Sequence, residues 1–287
     1  MRFKHKGSAL LTSLAILITA ASIVTLLITI QRVSIRRTDT LQSVDQLYYY
    51  ALGVEQWAIS QVKTWNQEKQ LYHTWPVKMA PVTLNQTQIQ GQIEDWQGQF
   101  NLLNLKKINM PKREHIEALK RILVETVPNL GQEEARVLTD TLTTSMRSFL
   151  PPKMLSELRL IEDISAERYQ KLFPALALIP ATTKLNLNSL TPALLRAYLP
   201  TLTETDGQTF AAYREENRGL QNVDELKKIF PDLTLPNAVF ETTSQYYLVT
   251  SIATHDNYQL TLYTLMQIET ASDATKVHIL WRSWNTL

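Results

Sequence analysis

Gly7-Ser8-Ala9-Leu10-Leu11-Thr12-Ser13-Leu14 opens a run that stays uncharged through Ile30. About 20 apolar residues are enough to span a hydrocarbon core as a helix. The hydroxyls of Thr12, Ser13, Thr19, Ser22, Thr25 and Thr29 are tolerable in such a helix, because each can bond back to its own backbone. A basic leader with Arg2, Lys4, His5 and Lys6 precedes the run. Three readings compete for this start. A cleaved secretory signal needs a small-residue site after the apolar run, and Gln31-Arg32 stands there instead. A plain membrane anchor fits. So does a cut before the run, between Gly7 and Ser8.

The helix should not stop at Ile30. No Pro or Gly intervenes before Gly53, and Leu47, Ala51, Val54, Ala58, Val62 and Trp65 recur at spacings of three and four. That period marks one helical stripe, facing a core supplied from downstream. Tyr48-Tyr49-Tyr50 reads as the edge of the stripe. From Ser8 to Trp65 the helix would be about 87 Å long, and Gly53 is a place for a bend.

Charge supports a split between anchor and body. The net charge is +2, yet six of the 29 basic residues lie at or before Arg37 with no acid among them. Beyond Arg37 there are 23 basic residues against 27 acidic ones. Arg2, Lys4 and Lys6 before the span balance Arg32, Arg36 and Arg37 after it, so flanking charge does not orient it. Arg32 and Arg36 share a helix face, where lipid phosphates and solvent are both possible partners. An apolar fraction of 44% and a charged fraction of 20% describe a folded body. With no Cys, disulfides and thiolate metal sites are excluded.

Trp75-Pro76 and Ala80-Pro81 make 66–81 a loop. Val82 to Ile93 alternates in part around a polar turn at Asn85-Gln86, which reads as one or two strands. Ile93-Glu94-Asp95-Trp96-Gln97-Gly98-Gln99-Phe100-Asn101-Leu102-Leu103-Asn104-Leu105 follows. In it Gly98 suits a turn or bulge, and Asn101 and Asn104 can bond local backbone. From Lys106 to about Asn237 helical stripes replace strands. Pro111 opens the first, with Ile116, Leu119, Ile122, Leu123 and Val127. After a turn at Pro128-Asn129-Leu130-Gly131 the second carries Ala135, Leu138, Leu142 and Met146. Ser165 can cap a helix through Phe173, and Thr191 with Pro192 can cap and start another. Beyond Pro236, three runs rich in Val, Ile, Thr, Tyr and Trp, Ser244–Ile252, Tyr258–Ile268 and Lys276–Trp284, read as an antiparallel meander. His255-Asp256-Asn257 and Ala271-Ser272-Asp273 separate them. A helix with a bare stripe and a sheet with a bare face complete each other. The fold class is therefore α+β: a long N-terminal helix on an antiparallel sheet, interrupted by a large all-α insert.

The basic leader, the Gly and the uncharged helix resemble the class III signal of type IV pilins and type II secretion pseudopilins. The stretch from Ile93 to Leu105 resembles that family's signature, an apolar residue and an acid, then x-x-Gly-x-Phe-Asn-Leu-x-Asn-Leu. Leu187-Asn188-x-x-Thr191-Pro192-x-x-Leu195 resembles part of the paired sterile-alpha-motif-like domains found in the large minor pseudopilins. Most of the family carry Glu at the fifth mature position, which is Thr12 here, and that loss is typical of the large minor member. The resemblance implies a leader 1–7, a membrane helix 8–30, a helix continuation with first strands 31–105, a two-part insert 106–237 with its second part from about 182, and closing strands 238–287. It implies cutting by prepilin peptidase between Gly7 and Ser8, with N-methylation of Ser8. It implies an inner-membrane protein with its bulk in the periplasm, capping a pseudopilus tip. Its partners would be the I-type and J-type minor pseudopilins, with the major pseudopilin below. Gly98, Phe100, Asn101 and Asn104 would be structural, with no catalytic residue and no cofactor. Calcium is known in the family, but its Asp-rich loop is replaced here by Thr143–Pro151.

As chemistry the rest is sparse. His5, His73, His115, His255 and His278 show no metal-ligand spacing. The acid pairs Glu94/Asp95, Glu133/Glu134, Glu162/Asp163 and Glu215/Glu216 read as solvated faces or caps, and no nucleotide or nucleophile motif is present. An enzyme is not expected. The alternative is a membrane-anchored nucleic-acid module, since 186–230 also resembles a helix-hairpin-helix unit. Its hairpin, Leu202-Thr203-Glu204-Thr205-Asp206-Gly207, places two carboxylates where phosphate would sit. Six basic and six acidic residues between Lys184 and Phe230 leave no net attraction for phosphate, so no nucleic acid is expected.

Overall fold

The computed structural model describes residues 5–106, 113–127, 130–161, 164–236, 238–271 and 274–287, with side chains from Leu10 onward and not at 271 or 274. Arg2, Lys4, Pro111, Pro128, Asn129, Glu162, Asp163, Asn237, Ser272 and Asp273 lie outside the described residues.

Helix α1 runs unbroken from His5 to Gln67, 63 residues or about 95 Å, and continues through Gly53. Strands β1 (Val77–Lys78), β2 (Val82–Leu84) and β3 (Thr87–Asp95) follow. The span 66–81 therefore holds the end of α1 and a two-residue strand, which is too short to show a period. Asn85 and Gln86 join β2 to β3 with φ of 48° and 64°, the left-handed pair that a two-residue hairpin requires. Strand β4 (Phe100–Asn101) closes the first half.

The insert comprises α2 (Arg113–Thr126), α3 (Gln132–Arg147), α4 (Ala166–Leu172), β5 (Leu176–Ala177), β6 (Leu185–Asn186), α5 (Pro192–Tyr198), α6 (Glu204–Glu216) and α7 (Glu225–Ile229). Its caps are local chemistry. Ser165 Oγ accepts from Arg168 N, and Thr191 Oγ1 accepts from Leu194 N with Pro192 at the first helical position. The chain then returns through β7 (Phe240–Glu241), β8 (Tyr246–His255), β9 (Tyr258–Ala271) and β10 (Ala274–Trp284).

The main sheet has the order β1-β3-β8-β9-β10, with β2 also beside β3, and every pairing is antiparallel. The insert thus leaves between β3 and β8, which are neighbours in space. Two parallel ladders of two residues each, β4 with β5 and β6 with β7, stitch the insert to the segments on either side of it.

Three layers result. Leu47, Ala51, Val54, Ala58, Val62 and Trp65 of α1 are all buried, as their spacing foretold. They pack on one sheet face against Ile89, Ile93, Val249, Leu262 and Met266. The alternate residues Tyr246, Leu248 and Leu265 join the core of the insert on the other face. Gly91 permits the close crossing of α1 over β3, since a Cβ there would fall 2.2 Å from Val54 Cγ1.

Candidate functional site: the bare helix and the signature junction

Among the described residues, every side chain of α1 from Leu10 to Asp39 is exposed. Leu10 is 71% exposed and Ile23 58%. So long an apolar surface is incompatible with water but suits lipid. Its hydroxyls are spent within the helix: Ser13 bonds the Leu10 carbonyl at 2.9 Å, Ser22 that of Ile18 at 2.8 Å and Thr25 that of Ala21 at 2.9 Å. A helix that satisfies all its own polar groups is what a bilayer admits. Gly7 and Ser8 lie on α1, with their side chains outside the described residues, and Thr12 is exposed on the same helix. Past the span, Val33, Ile35 and Leu41 remain bare.

The second feature is a polar junction built from the stretch 95–105. Gly98 is there for space: a Cβ would meet Ser189 backbone atoms at 2.9 Å. Phe100 is fully buried and stacks on Tyr198 of α5 with ring centres 6.3 Å apart. Asn101 keeps one local bond, from Leu103 N, and otherwise reaches across the fold. Its Oδ1 accepts from Ile179 N at 3.1 Å, and its Nδ2 donates to the Ala181 carbonyl at 2.7 Å. Asn104 grips Thr183 from both sides, donating to its carbonyl at 2.9 Å and accepting from its N–H at 3.0 Å. The two asparagines thus act less as turn-formers than as clamps on 179–183.

Asp95 is the centre. Its carboxylate accepts from Gln97 N at 2.9 Å, Asn186 Nδ2 at 2.8 Å and Ser244 Oγ at 2.7 Å. Burial pushes this carboxyl above its ordinary range, opposed by hydrogen bonds from Ser189, Ser244, Asn186 and the Gln97 backbone. Gln97 accepts from Gln245 N at 2.6 Å and donates to Glu241, whose carboxyl burial also pushes up. Asn188 donates to the carbonyls of Leu220 and Thr242. The two motifs, at 93–105 and 187–195, therefore meet in one buried network joining both margins of the insert.

Sequence reasoning missed one more group. Glu55, inside the stripe of α1, is fully buried. It accepts two bonds from Arg282 of β10, at 2.7 and 2.9 Å, and one from Thr264 of β9 at 2.9 Å. Glu55 falls one residue after Val54 on the stripe, and that position was its only signal.

The remaining candidates stay apart. His115 bonds Tyr198 OH and His73 packs on Trp65. Glu133 pairs with Arg136, and Glu134 caps Gly131 N. Among the described residues no group of three His, Asp or Glu could hold a metal. Thr143–Pro151 offers no carboxylate, so the residues present there do not fit a calcium ion. At the N-terminus of α6, Asp206 accepts from Thr203 N at 2.7 Å and Thr203 Oγ1 accepts from Asp206 N. This reciprocal cap fills the place a phosphate would need.

A bare membrane-length helix on an antiparallel sheet, with a helical insert on the far face, is an α+β pilin-like architecture. No protein-family model matches the chain. It is similar to type II secretion system protein K of Pseudomonas aeruginosa, 26% identical over 93% of this chain and 90% of that protein. It is also 26% identical to protein K of Klebsiella pneumoniae, over 70% of this chain and 72% of that one. In fold it matches a chain in the crystal structure of the GspK-GspI-GspJ complex of enterotoxigenic Escherichia coli. The TM-score is 0.68 with 19% identity, over 88% of this chain and all of that one. The likeness to protein K runs along nearly the whole length of the chain, and the fold agrees with it.

Proposed function

We propose that the chain caps the tip of a periplasmic pseudopilus and helps start its assembly, as a structural rather than catalytic subunit. It would sit in the inner membrane by a single span with its bulk in the periplasm. Its partners would be the I-type and J-type minor pseudopilins, as in the GspK-GspI-GspJ complex, with the major pseudopilin below. The observation that carries this reading is the pairing of an exposed apolar helix with a bulky insert stacked on the far side of the sheet. An insert of about 130 residues has a radius of gyration near 14 Å. Such a mass is hard to repeat within a packed fibre but fits at its end. Maturation would occur by cutting between Gly7 and Ser8 and methylating Ser8. N-terminal sequencing of the membrane-extracted protein, followed by its co-purification with I-type and J-type subunits, tests both parts. Ser8 at the terminus and a stable complex are expected. An intact Met1 or a terminus beyond Ile30 would end the reading.

A further inference from the structure

A cavity of about 400 Å³ lies between the end of β3 and the insert, open on one side. Trp75, Ile122, Pro174 and Leu194 give it largely apolar walls. Small-molecule sites usually have about this size and lining, with a few polar groups that fix orientation. The carboxylates here differ in how far they are already used. Asp95 already takes hydrogen bonds from Gln97 N, Asn186, Ser244 and Ser189. Glu125 is paired with Arg196. Glu94 takes one bond, from Gln92 Nε2 at 2.7 Å, and among the described residues no cation lies within ion-pair distance of it. Glu94 is half-buried, and that burial raises its pKa. A charged carboxylate in such a place gains most from a cation that reaches it with apolar matter around it.

We infer that this cavity binds a small organic cation, an amidinium, guanidinium or primary ammonium carried on an apolar body, with Glu94 as its counter-ion. Trp75 and Leu194 would flank the body of the ligand, and the indole adds attraction for the positive charge. Organic anions would meet Glu94, Asp95 and Glu125 together and be excluded. Lys171 is the one basic side chain lining the cavity, is exposed, and opposes the cation by like charge. The occupant would touch β3, α2 and α5 at once, so binding would fasten the insert to the sheet. This inference does not rest on the pseudopilin role.

The test uses the full chain in neutral-lipid nanodiscs, with benzamidine as probe and benzoate as its anionic match, read by ligand-observed saturation-transfer NMR and titration. Benzamidine should bind and benzoate should not. Glu94→Gln, which keeps size and polarity, should weaken benzamidine at least about tenfold. Lys171→Ala should tighten it. Leu194→Phe should block it by filling the cavity. No benzamidine binding, equal binding of benzoate, or affinity untouched by Glu94→Gln would each overturn the proposal.

Discussion

Glu55 is fully buried, while the Arg282 side chain that neutralises it is 36% exposed. Removing the arginine leaves a carboxylate in the core beside a single hydroxyl, Thr264. Breaking a buried pair from one side costs about 3 kcal/mol or more, whereas replacing both partners by apolar groups of similar volume is often neutral. Arg282→Met should therefore lower unfolding stability by about 3 kcal/mol, and Glu55→Leu added to it should restore most of the loss. Urea unfolding of the three proteins measures this, and no recovery in the double variant would refute the account. Asp95 makes a second expectation at this scale. Its folded pKa is raised, so between the unfolded value and the folded one the native state holds more proton than the unfolded state. Stability then falls as pH rises through that window, and the full cost of the buried charge is present above it. Asp95→Asn cannot titrate. The stability of wild type relative to Asp95→Asn should grow as pH is lowered from neutral into the window. A difference that stays flat with pH would contradict a raised folded pKa for Asp95.

At the scale of elements, α1 contains or crosses two glycines of opposite meaning. Gly53 faces open space, with nothing within 4 Å of the place a methyl would take. Gly53→Ala should stabilise by about 1 kcal/mol, the ordinary helix-propensity difference. Gly91→Ala puts a methyl 2.2 Å from Val54 Cγ1, and a β-branched side chain in a helix has almost no alternative rotamer. A loss of about 2 kcal/mol is expected, partly recovered by Val54→Ala. Thermal melts of these variants would show whether the helix meets the sheet as closely as described. The insert offers a related test. Ladders β4–β5 and β6–β7 pair residues inside 106–237 with residues outside it. Phe100, Leu102 and Leu105 belong to the same core as α2, α3 and α5. A fragment of residues 96–246 should therefore melt cooperatively, and at a higher temperature than a fragment of 106–237. Equal melting by circular dichroism would mean that the flanking strands add nothing.

Over the whole molecule, the part of α1 from Leu47 to Trp65 and the insert lie on different layers, with the sheet between them. The family resemblance implies that a fifth-position Glu pairs with the free N-terminal amine of the subunit above; in the proposed role nothing stands above this subunit, so a Glu there would have no amine to meet. A lone carboxylate at membrane depth costs about 2.5–3.5 kcal/mol on insertion scales. Thr12→Glu should accordingly be neutral or harmful to secretion, never a gain. A label placed on exposed Phe149 of the insert should mark one end of the pseudopilus under electron microscopy. Labels spread along its length would disprove a tip location.

The local chemistry was legible in the chain itself. The spacing of Leu47 to Trp65 named the buried face of α1, because one period of 3.6 decides which side of a helix can meet a core. Alternation and turn residues named β8, β9 and β10, and Ser165 and Thr191 named their caps, since each of these depends on neighbours within a few residues. Only the tertiary structure decided what the polar groups hold. Asn101 and Asn104 looked like local turn-formers, yet they clamp backbone 78 to 80 residues away. Asp95 gathers Asn186 and Ser244, and Glu55 meets Arg282 across 227 residues of chain. A hydrogen bond needs a donor within about 3 Å. Which donor that is depends on where distant segments come to rest, and no periodicity in the sequence records it.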